Sequence, residues 1–462
     1  MKLAFLGREK EKSRLDRLFS DPASTFCCLY GRRRCGKSRL IQETLPSQGS
    51  VYFVSDEREP PLQRVALAAC MGQLAPGMDQ VVYPDWASLF ERWWQDAPPG
   101  ALLVLDEFPY LVNSSPEIPS LLQRLIDQAR PRKLDLLVCG SSQRMMQGLL
   151  LDGSAPLYGR AQEIIVVKPL GAAWLGEALG LASPRETLEA YAVWGGVPRY
   201  WELAAEKGTV TWESVADLVL DPLGVLHDEP RRLLMDDMRD TAQAASILAL
   251  IGSGCNRVSE IAARLAKPAT SLNRPLQRLI ELGFVRRERP FGASERSGKR
   301  TLYRLDDPFL AFWFRFVEPN RSRLDAGFVE QVSKDICCDF AGHVAETWEE
   351  LARQSFPHLH LGGHEWLPAS RWWGPGTDRQ PLEVDVVAES VDRTCLFVGE
   401  ATLRLTDKEA NHLRRELSAK IERLPFARSY AHVVTGLFVA EGLQPDLAEG
   451  VVTAGEVVGA CR

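Results

Sequence analysis

The sequence predicts an α/β chain built on a parallel β-sheet with helices on both faces, followed by smaller helical and α/β domains. Three observations predict it. Apolar runs of strand length alternate with helical segments: Thr25-Phe-Cys-Cys-Leu-Tyr30, Val51-Tyr-Phe-Val54, Ala101-Leu-Leu-Val-Leu105, Leu134-Asp-Leu-Leu-Val-Cys139 and Ile164-Ile-Val-Val167. A glycine-rich segment, Gly31-Arg-Arg-Arg-Cys-Gly-Lys-Ser38, lies between the first run and a helix that begins at Arg39. The third run ends in two adjacent acids, Asp106-Glu107.

The glycine-rich segment has the spacing G-x-x-x-x-G-K-S of a phosphate-binding loop. Gly31 and Gly36 let backbone N–H groups curl around phosphate oxygens, and the following helix adds its positive dipole end. Lys37 is placed to reach the β/γ phosphates and Ser38 to hold Mg²⁺. Arg34 and Arg39 are further candidates for nucleotide contact. Asp106 is then expected in the Mg²⁺ shell, and Glu107 to orient and deprotonate the attacking water. After the next strand, Gly140-Ser141-Ser142 offers Ser142 as a sensor of the γ phosphate. Arg160, before the last strand, either contacts phosphate in its own site, reaches a neighbour's site, or caps a strand.

Length and composition bound the rest. A chain of 462 residues holds two to four domains. It is 45% hydrophobic and 25% charged, as ordinary globular proteins are. The net charge of −6 excludes a uniformly nucleic-acid-coating protein but leaves room for local basic patches. The 10 cysteines include no C-x-x-C, and several of them, in apolar strands, read as buried thiols of a reducing, cytoplasmic location. Leu3 to Leu6 is too short an apolar run for a signal peptide, and no stretch reaches the ~18 apolar residues of a membrane span.

Gly7-Arg8-Glu9, Tyr30 to Ser38, Leu105-Asp-Glu-Phe-Pro-Tyr110, Cys139-Gly-Ser-Ser142, Gly159-Arg160 and Gly195-Gly-Val-Pro-Arg-Tyr200 together resemble the archaeal-type P-loop ATPases of the AAA+/STAND group. The resemblance covers about the first 235 residues. It implies ATP as ligand, and a catalytic-glutamate core (the ASCE type) over residues 1–170 with the sensor strand between the phosphate-loop and Asp106 strands. It further implies a helical lid over 171–239 and a place for Arg8 and Glu9 near the base.

Residues 240–308 read as a winged helix-turn-helix. Two amphipathic segments, Val258 to Leu265 and one ending at Leu282-Gly283, precede the strand-like Phe284 to Arg289 and Arg300 to Leu305. Pro275 suggests that the second helix begins near Arg274. From Phe284 to Arg304 there are seven cations against two anions. Arg286, Arg287, Arg289, Lys299 and Arg300 are candidates for nucleic-acid phosphates. Ser271, Asn273, Arg274, Gln277 and Arg278 are candidates for a DNA groove. A DNA module and a protein-packing module both fit this pattern.

Residues 309–462 open with the aromatic run Phe309 to Phe316, expected to dock the winged helix onto the C-terminal domain. Three acids then stand out: Glu346 on a helix, Asp385 in a strand and Glu400 at the end of another, a candidate second metal site. Arg371-Trp-Trp-Gly374, Glu383 to Ala388 and Gly399-Glu400 resemble the domain of unknown function that follows these ATPases. That domain is similar to the PD-(D/E)xK restriction-endonuclease fold. The family pattern Gly-Glu-Cys-Lys is here Gly399-Glu400-Ala401-Thr402, so the strand lacks its lysine. Arg404 and Lys408 are the nearby cations. The expected partners are ATP, DNA, and a partner protein or a second copy of the chain, with no membrane.

Overall fold

The computed structural model describes residues 3–46, 48–128, 132–208, 212–238, 240–294, 300–442 and 450–462. They divide into two compact units. One comprises Phe5–Pro169 with Met235–Arg239; the other comprises Leu170–Leu234 and Asp240–Arg462 with Met1–Ala4. Among the described residues no helix is long and apolar enough to cross a membrane.

The first unit is a five-stranded sheet of β1 (Phe26–Tyr30), β2 (Ser50–Val54), β3 (Ala101–Asp106), β4 (Leu134–Gly140) and β5 (Glu163–Val166), in the order β2-β3-β4-β1-β5. Every neighbouring pair is parallel. This is the expected α/β class, and β4 does lie between the phosphate-loop strand β1 and the acidic strand β3. Strands β1, β3 and β4 are buried at every residue. That explains why they read as continuous apolar runs rather than alternating ones. One face of the sheet packs Phe26, Cys28, Val51, Phe53, Leu103, Leu105, Leu136 and Val138 into the core beneath the Trp86–Asp96 helix. The opposite parity carries Tyr52 and Asp106. The C-terminal strand ends gather the loops that follow β1, β3 and β4 at one edge, where ligands of open α/β sheets bind.

In the second unit, the helices Ala172–Leu179, Pro184–Trp194 and Pro198–Glu206 come first. The helices Thr241–Gly252, Val258–Arg264 and Ala269–Glu281 follow, with an antiparallel hairpin of β6 (Val285–Glu288) and β7 (Leu302–Leu305). The last of these helices runs through Pro275 instead of starting beside it. An internal proline costs a helix about 3 kcal/mol. Leu272, Leu276 and Leu279, all buried on one face, offset that cost. The carbonyl that Pro275 cannot serve belongs to Ser271, which is exposed to water.

The aromatic run packs inside this unit. Phe309 packs against Tyr200 at 4.7 Å, and Phe312 against His343 at 5.8 Å. Trp313 Nε1 donates to the His227 carbonyl at 2.7 Å. A 27-residue helix, Val329–Ser355, leads into a second five-stranded sheet. Its strands are β8 (Ser370–Pro375), β9 (Pro381–Glu389), β10 (Cys395–Arg404), β11 (His432–Glu441) and β12 (Val451–Thr453), in the order β12-β11-β10-β9-β8. Strands β8, β9 and β10 form an antiparallel meander, and the Asp407–Arg423 helix returns the chain to β11, parallel to β10.

Candidate nucleotide site and a carboxylate cluster

The loop after β1 is shaped by close backbone approach. A Cβ on Gly31 would lie 2.2 Å from the Val167 carbonyl oxygen, so only glycine fits. Gly36, at φ 86, and Arg34, at φ 68, take the left-handed conformation that curls the loop. Gly36 caps the Lys37–Thr44 helix. Lys37 is buried, and its ammonium donates to the Arg32 carbonyl at 3.0 Å. A buried cation folded back on the loop's own neutral carbonyl, inside a cradle that admits no Cβ, fits a phosphate ligand. Arg39 faces elsewhere: it pairs with Glu43 at 3.8 Å and lies over Phe5. Arg8 donates to the carbonyls of Cys35 (3.2 Å) and Lys168 (2.5 Å), so it braces the loop from behind.

Asp106 and Glu107 follow from the end of β3. Asp106 is buried; its Oδ1 accepts from the Glu107 amide at 2.9 Å and its Oδ2 from the Tyr52 hydroxyl. Tyr52 also hydrogen-bonds Ser38. One hydroxyl shared by both places Ser38 and Asp106 within ~6 Å of each other. The two residues expected to hold Mg²⁺ therefore fit a common ion. Burial and the neighbouring Asp106 push the Cys139 thiol well up, so it stays protonated beneath the site. Glu107 itself takes a left-handed backbone, φ 50, which turns its side chain off the strand. Its Oε2 accepts from Ser141 Oγ at 2.8 Å and from the Ser141 amide at 3.3 Å.

Ser142, the residue expected to sense phosphate, lies one position further and does something else. It caps the Gln143–Leu150 helix. Its hydroxyl also meets Asp237 at 3.3 Å, and Asp237 accepts the Arg144 amide at 3.1 Å. Arg33 of the loop bonds Tyr110 (2.6 Å) and pairs with Asp236 (3.0 Å). Arg160 precedes β5, which runs parallel to β1, so it sits at the edge of the sheet opposite the phosphate loop. There its guanidinium forms a two-pronged bond to Asp127 at 2.8 and 2.7 Å. Contact with phosphate in its own site is thereby excluded by the strand direction. Sequence reasoning missed Tyr52 and Ser141; only the β2–β3 register and the turn after β4 place them.

In the C-terminal sheet, Asp385 on β9 and Glu400 on β10 do come together, hydrogen-bonded side chain to side chain. Asp385 Oδ2 also accepts the Ala401 amide at 3.1 Å. Burial, and then Asp385, raise Glu400 well above the usual carboxylate range. Lys420, from the helix after β10, donates to Glu400 Oε1 at 2.7 Å. An amine thus stands beside Glu400, supplied by a helix rather than by the strand. Its signal was the helical stripe of buried Ala410 and Leu417, which Lys420 continues at i+3. Arg404 instead bonds Glu441 at 2.9 Å.

Glu346 does not join this cluster. It is half exposed and pairs with Arg315 at 2.8 Å and Arg304 at 3.6 Å. Glu349, one turn on, is the helix's acid near Asp385, and burial together with Asp385 pushes it up to about 7. No group of three or more metal-ligating side chains occurs among the described residues.

The hairpin arginines divide. Arg286 pairs with Glu288 and Glu350, each at 2.9 Å. Burial works to raise Glu350, but Arg286 and Arg353 outweigh it and hold the carboxyl at about 2. Arg286 therefore serves the interior of the unit rather than its surface. Arg287 and Arg300 are exposed and Arg289 is half-buried. Lys299 lies outside the described residues. On the Ala269–Glu281 helix, Ser271, Asn273, Arg274 and Gln277 are exposed, while the half-buried Arg278 pairs with Glu281 at 3.2 Å.

With this geometry in hand, similarity to known proteins is informative. Residues 5–203 match an ATPase domain found predominantly in Archaea. Residues 313–413 match a family of archaeal and bacterial proteins of unknown function. An uncharacterized protein of Methanocaldococcus jannaschii is 27% identical over 421 residues, 90% of this chain and 91% of the relative. Among solved structures, a Walker-type ATPase of Pyrococcus abyssi superposes with a TM-score of 0.50 at 19% identity, over 67% of this chain and 96% of that one. An ORC2 protein of Aeropyrum pernix has a TM-score of 0.46 at 14% identity, over 72% of this chain and 96% of that one. Residues 5–203 are thus an ATPase domain of the predominantly archaeal family, and residues 313–413 a domain of the archaeal and bacterial family of unknown function.

Proposed function

We propose that this protein is a Mg²⁺-dependent, ATP-hydrolysing switch of the cytoplasm. Its output lies in the winged helix-turn-helix and in the C-terminal domain, directed at DNA or a partner protein, including a second copy of the chain. The observation that carries the ATPase half is the joint placement of Lys37, Ser38, Asp106 and Glu107 at one edge of the sheet. In this reading the loop amides and Lys37 bind the phosphates, while Ser38 and Asp106 hold the metal. Bound Mg²⁺ neutralises phosphate charge. Glu107, steered by Ser141, orients a water and takes its proton. The exposed Asn273, Arg274, Gln277, Arg287 and Arg300 support a nucleic-acid partner for the output module.

The test is thermodynamic coupling. Nucleotide affinity is measured with and without duplex DNA, and DNA affinity with and without ATP. Binding free energies couple reciprocally, so the two factors must be equal and different from one. Nucleotide affinity that ignores saturating DNA rejects DNA as the partner.

A second reading is favoured by one contact, Lys420 to Glu400. With Asp385, Glu400 and a lysine together, the C-terminal domain has the side chains for metal-assisted phosphodiester hydrolysis, gated by the ATPase. Incubation with DNA, Mg²⁺ or Mn²⁺ and ATP should then yield cleavage that Asp385→Ala and Lys420→Met both abolish. Cleavage that survives both changes belongs to a contaminant.

A further inference from the structure

Each of the two acids at the end of β3 has a hydroxyl of its own. Glu107 receives Ser141, and Asp106 receives Tyr52. The Tyr52 contact is not an accident of a flexible surface. Strand β2 pairs with β3 in the register Tyr52↔Val104 and Val54↔Asp106. Its neighbours Val51 and Phe53 are locked into the core on the other face of the sheet. Tyr52 must therefore project to the face that carries Asp106, and its long side chain reaches forward two residues to the strand end. There the hydroxyl meets both Asp106 and Ser38. A phenylalanine would fill the same space and leave Asp106 Oδ2 without this donor. The oxygen is buried with the rest of Asp106, so the orientation of the carboxylate depends on the donor.

We infer that Tyr52 is a positioning residue of the nucleotide site: its hydroxyl fixes the Asp106 carboxylate in the orientation in which Asp106 and Ser38 address one divalent cation. The inference rests on the proposed function, in which these two residues hold Mg²⁺. Hydrogen-bond donors behind a metal-ligating carboxylate set its orientation, and their loss typically weakens metal binding by about 10-fold or more. The hydroxyl is directed at Asp106 and Ser38 rather than at Lys37 or Glu107, so its effect should be confined to the metal.

The experiment titrates MgCl₂ into the protein with a fluorescent ATP analogue at fixed concentration, for the native chain, Tyr52→Phe, Asp106→Asn and the double variant. Thermal melting confirms that Tyr52→Phe, which keeps the ring, is folded. The expected result is a Mg²⁺ midpoint for Tyr52→Phe raised about 3- to 10-fold, with metal-free affinity for the analogue unchanged. The double variant should match Asp106→Asn alone, because the two groups act as one. An unchanged or lowered midpoint in Tyr52→Phe overturns the inference. So does a parallel loss of metal-free affinity, which means general support of the strand. If Asp106→Asn itself leaves the Mg²⁺ dependence intact, the underlying metal reading fails instead.

Discussion

Ser141 Oγ donates to Glu107 Oε2 across 2.8 Å, tying the turn after β4 to the acid at the end of β3. The Ser141 amide adds a second, longer bond at 3.3 Å. Two donors on one carboxylate oxygen hold the other oxygen in a set direction, as a general base requires. Ser141→Ala removes the hydroxyl and keeps the amide. We expect kcat for ATP to fall about 10-fold, the worth of one hydrogen bond to a charged group, with nucleotide affinity unchanged. Steady-state turnover and equilibrium binding read the two effects separately.

Asp237 is buried and accepts from both Ser142 and the amide of Arg144 at the start of the Gln143–Leu150 helix. It is the anion of that helix N-terminus. Asp237→Ala should destabilise the ATPase unit by about 1–3 kcal/mol, because two donors lose a charged acceptor. A drop of several degrees in the unit's melting transition checks it.

The carboxylate cluster gives the second unit a definite pH dependence. Burial and Asp385 raise Glu349 to about 7, and they raise Glu400 as well. Folded Glu349 thus keeps a proton that the unfolded chain releases near pH 4.5. The folded state binds more protons through this window, so stability falls as pH rises from about 4.5 through about 7, and Glu400 carries the fall on to about 8 before it levels off. Glu350, held at about 2 when folded and near 4.5 when unfolded, opposes this fall at the acid end of the window and adds no slope once pH is well above 4.5. Glu349→Gln should flatten part of that fall, and denaturant unfolding of the full chain at about pH 5, 6, 7 and 8 measures it.

Arg286 and Glu350 form an ion pair inside the second unit, with Arg353 bonded to the same Glu350 oxygen at 3.0 Å. Removing one partner strands the other charges in a desolvated place. Glu350→Ala should cost about 3–5 kcal/mol, whereas replacing Arg286 and Glu350 together with Met and Leu should recover a large part of it. Equal losses in the single and double variants would show that burial of the pair contributes nothing specific.

Much of the ATPase unit was legible because its signals are local. The phosphate loop occupies eight consecutive residues, and Asp106-Glu107 ends a run of apolar ones. The strands of a doubly covered sheet announce themselves as unbroken apolar runs. What the sequence could not supply is register and direction. Ser141 and Ser142 are neighbours with the same chemistry, and only the turn geometry assigns Glu107 to the first. The direction of β5 puts Arg160 at the edge away from the phosphate loop, and no local pattern encodes that direction. Glu346 and Glu349 share one helix, one turn apart, and packing chooses between them. Lys420 lies 20 residues after Glu400, so no strand motif reveals it. The hairpin's positive charge was plain in the sequence, but Glu350, the acidic partner of Arg286, lies on a distant helix and could not be paired in advance.

The central claim is that Glu107 turns a bound ATP into a hydrolysed one at the site built by Lys37, Ser38 and Asp106. Single-turnover hydrolysis of ATP with Mg²⁺, measured beside equilibrium nucleotide binding for Glu107→Gln, tests it most directly. The expected result is unchanged ATP affinity with hydrolysis slowed about 100-fold or more. Hydrolysis at the native rate in Glu107→Gln would contradict it.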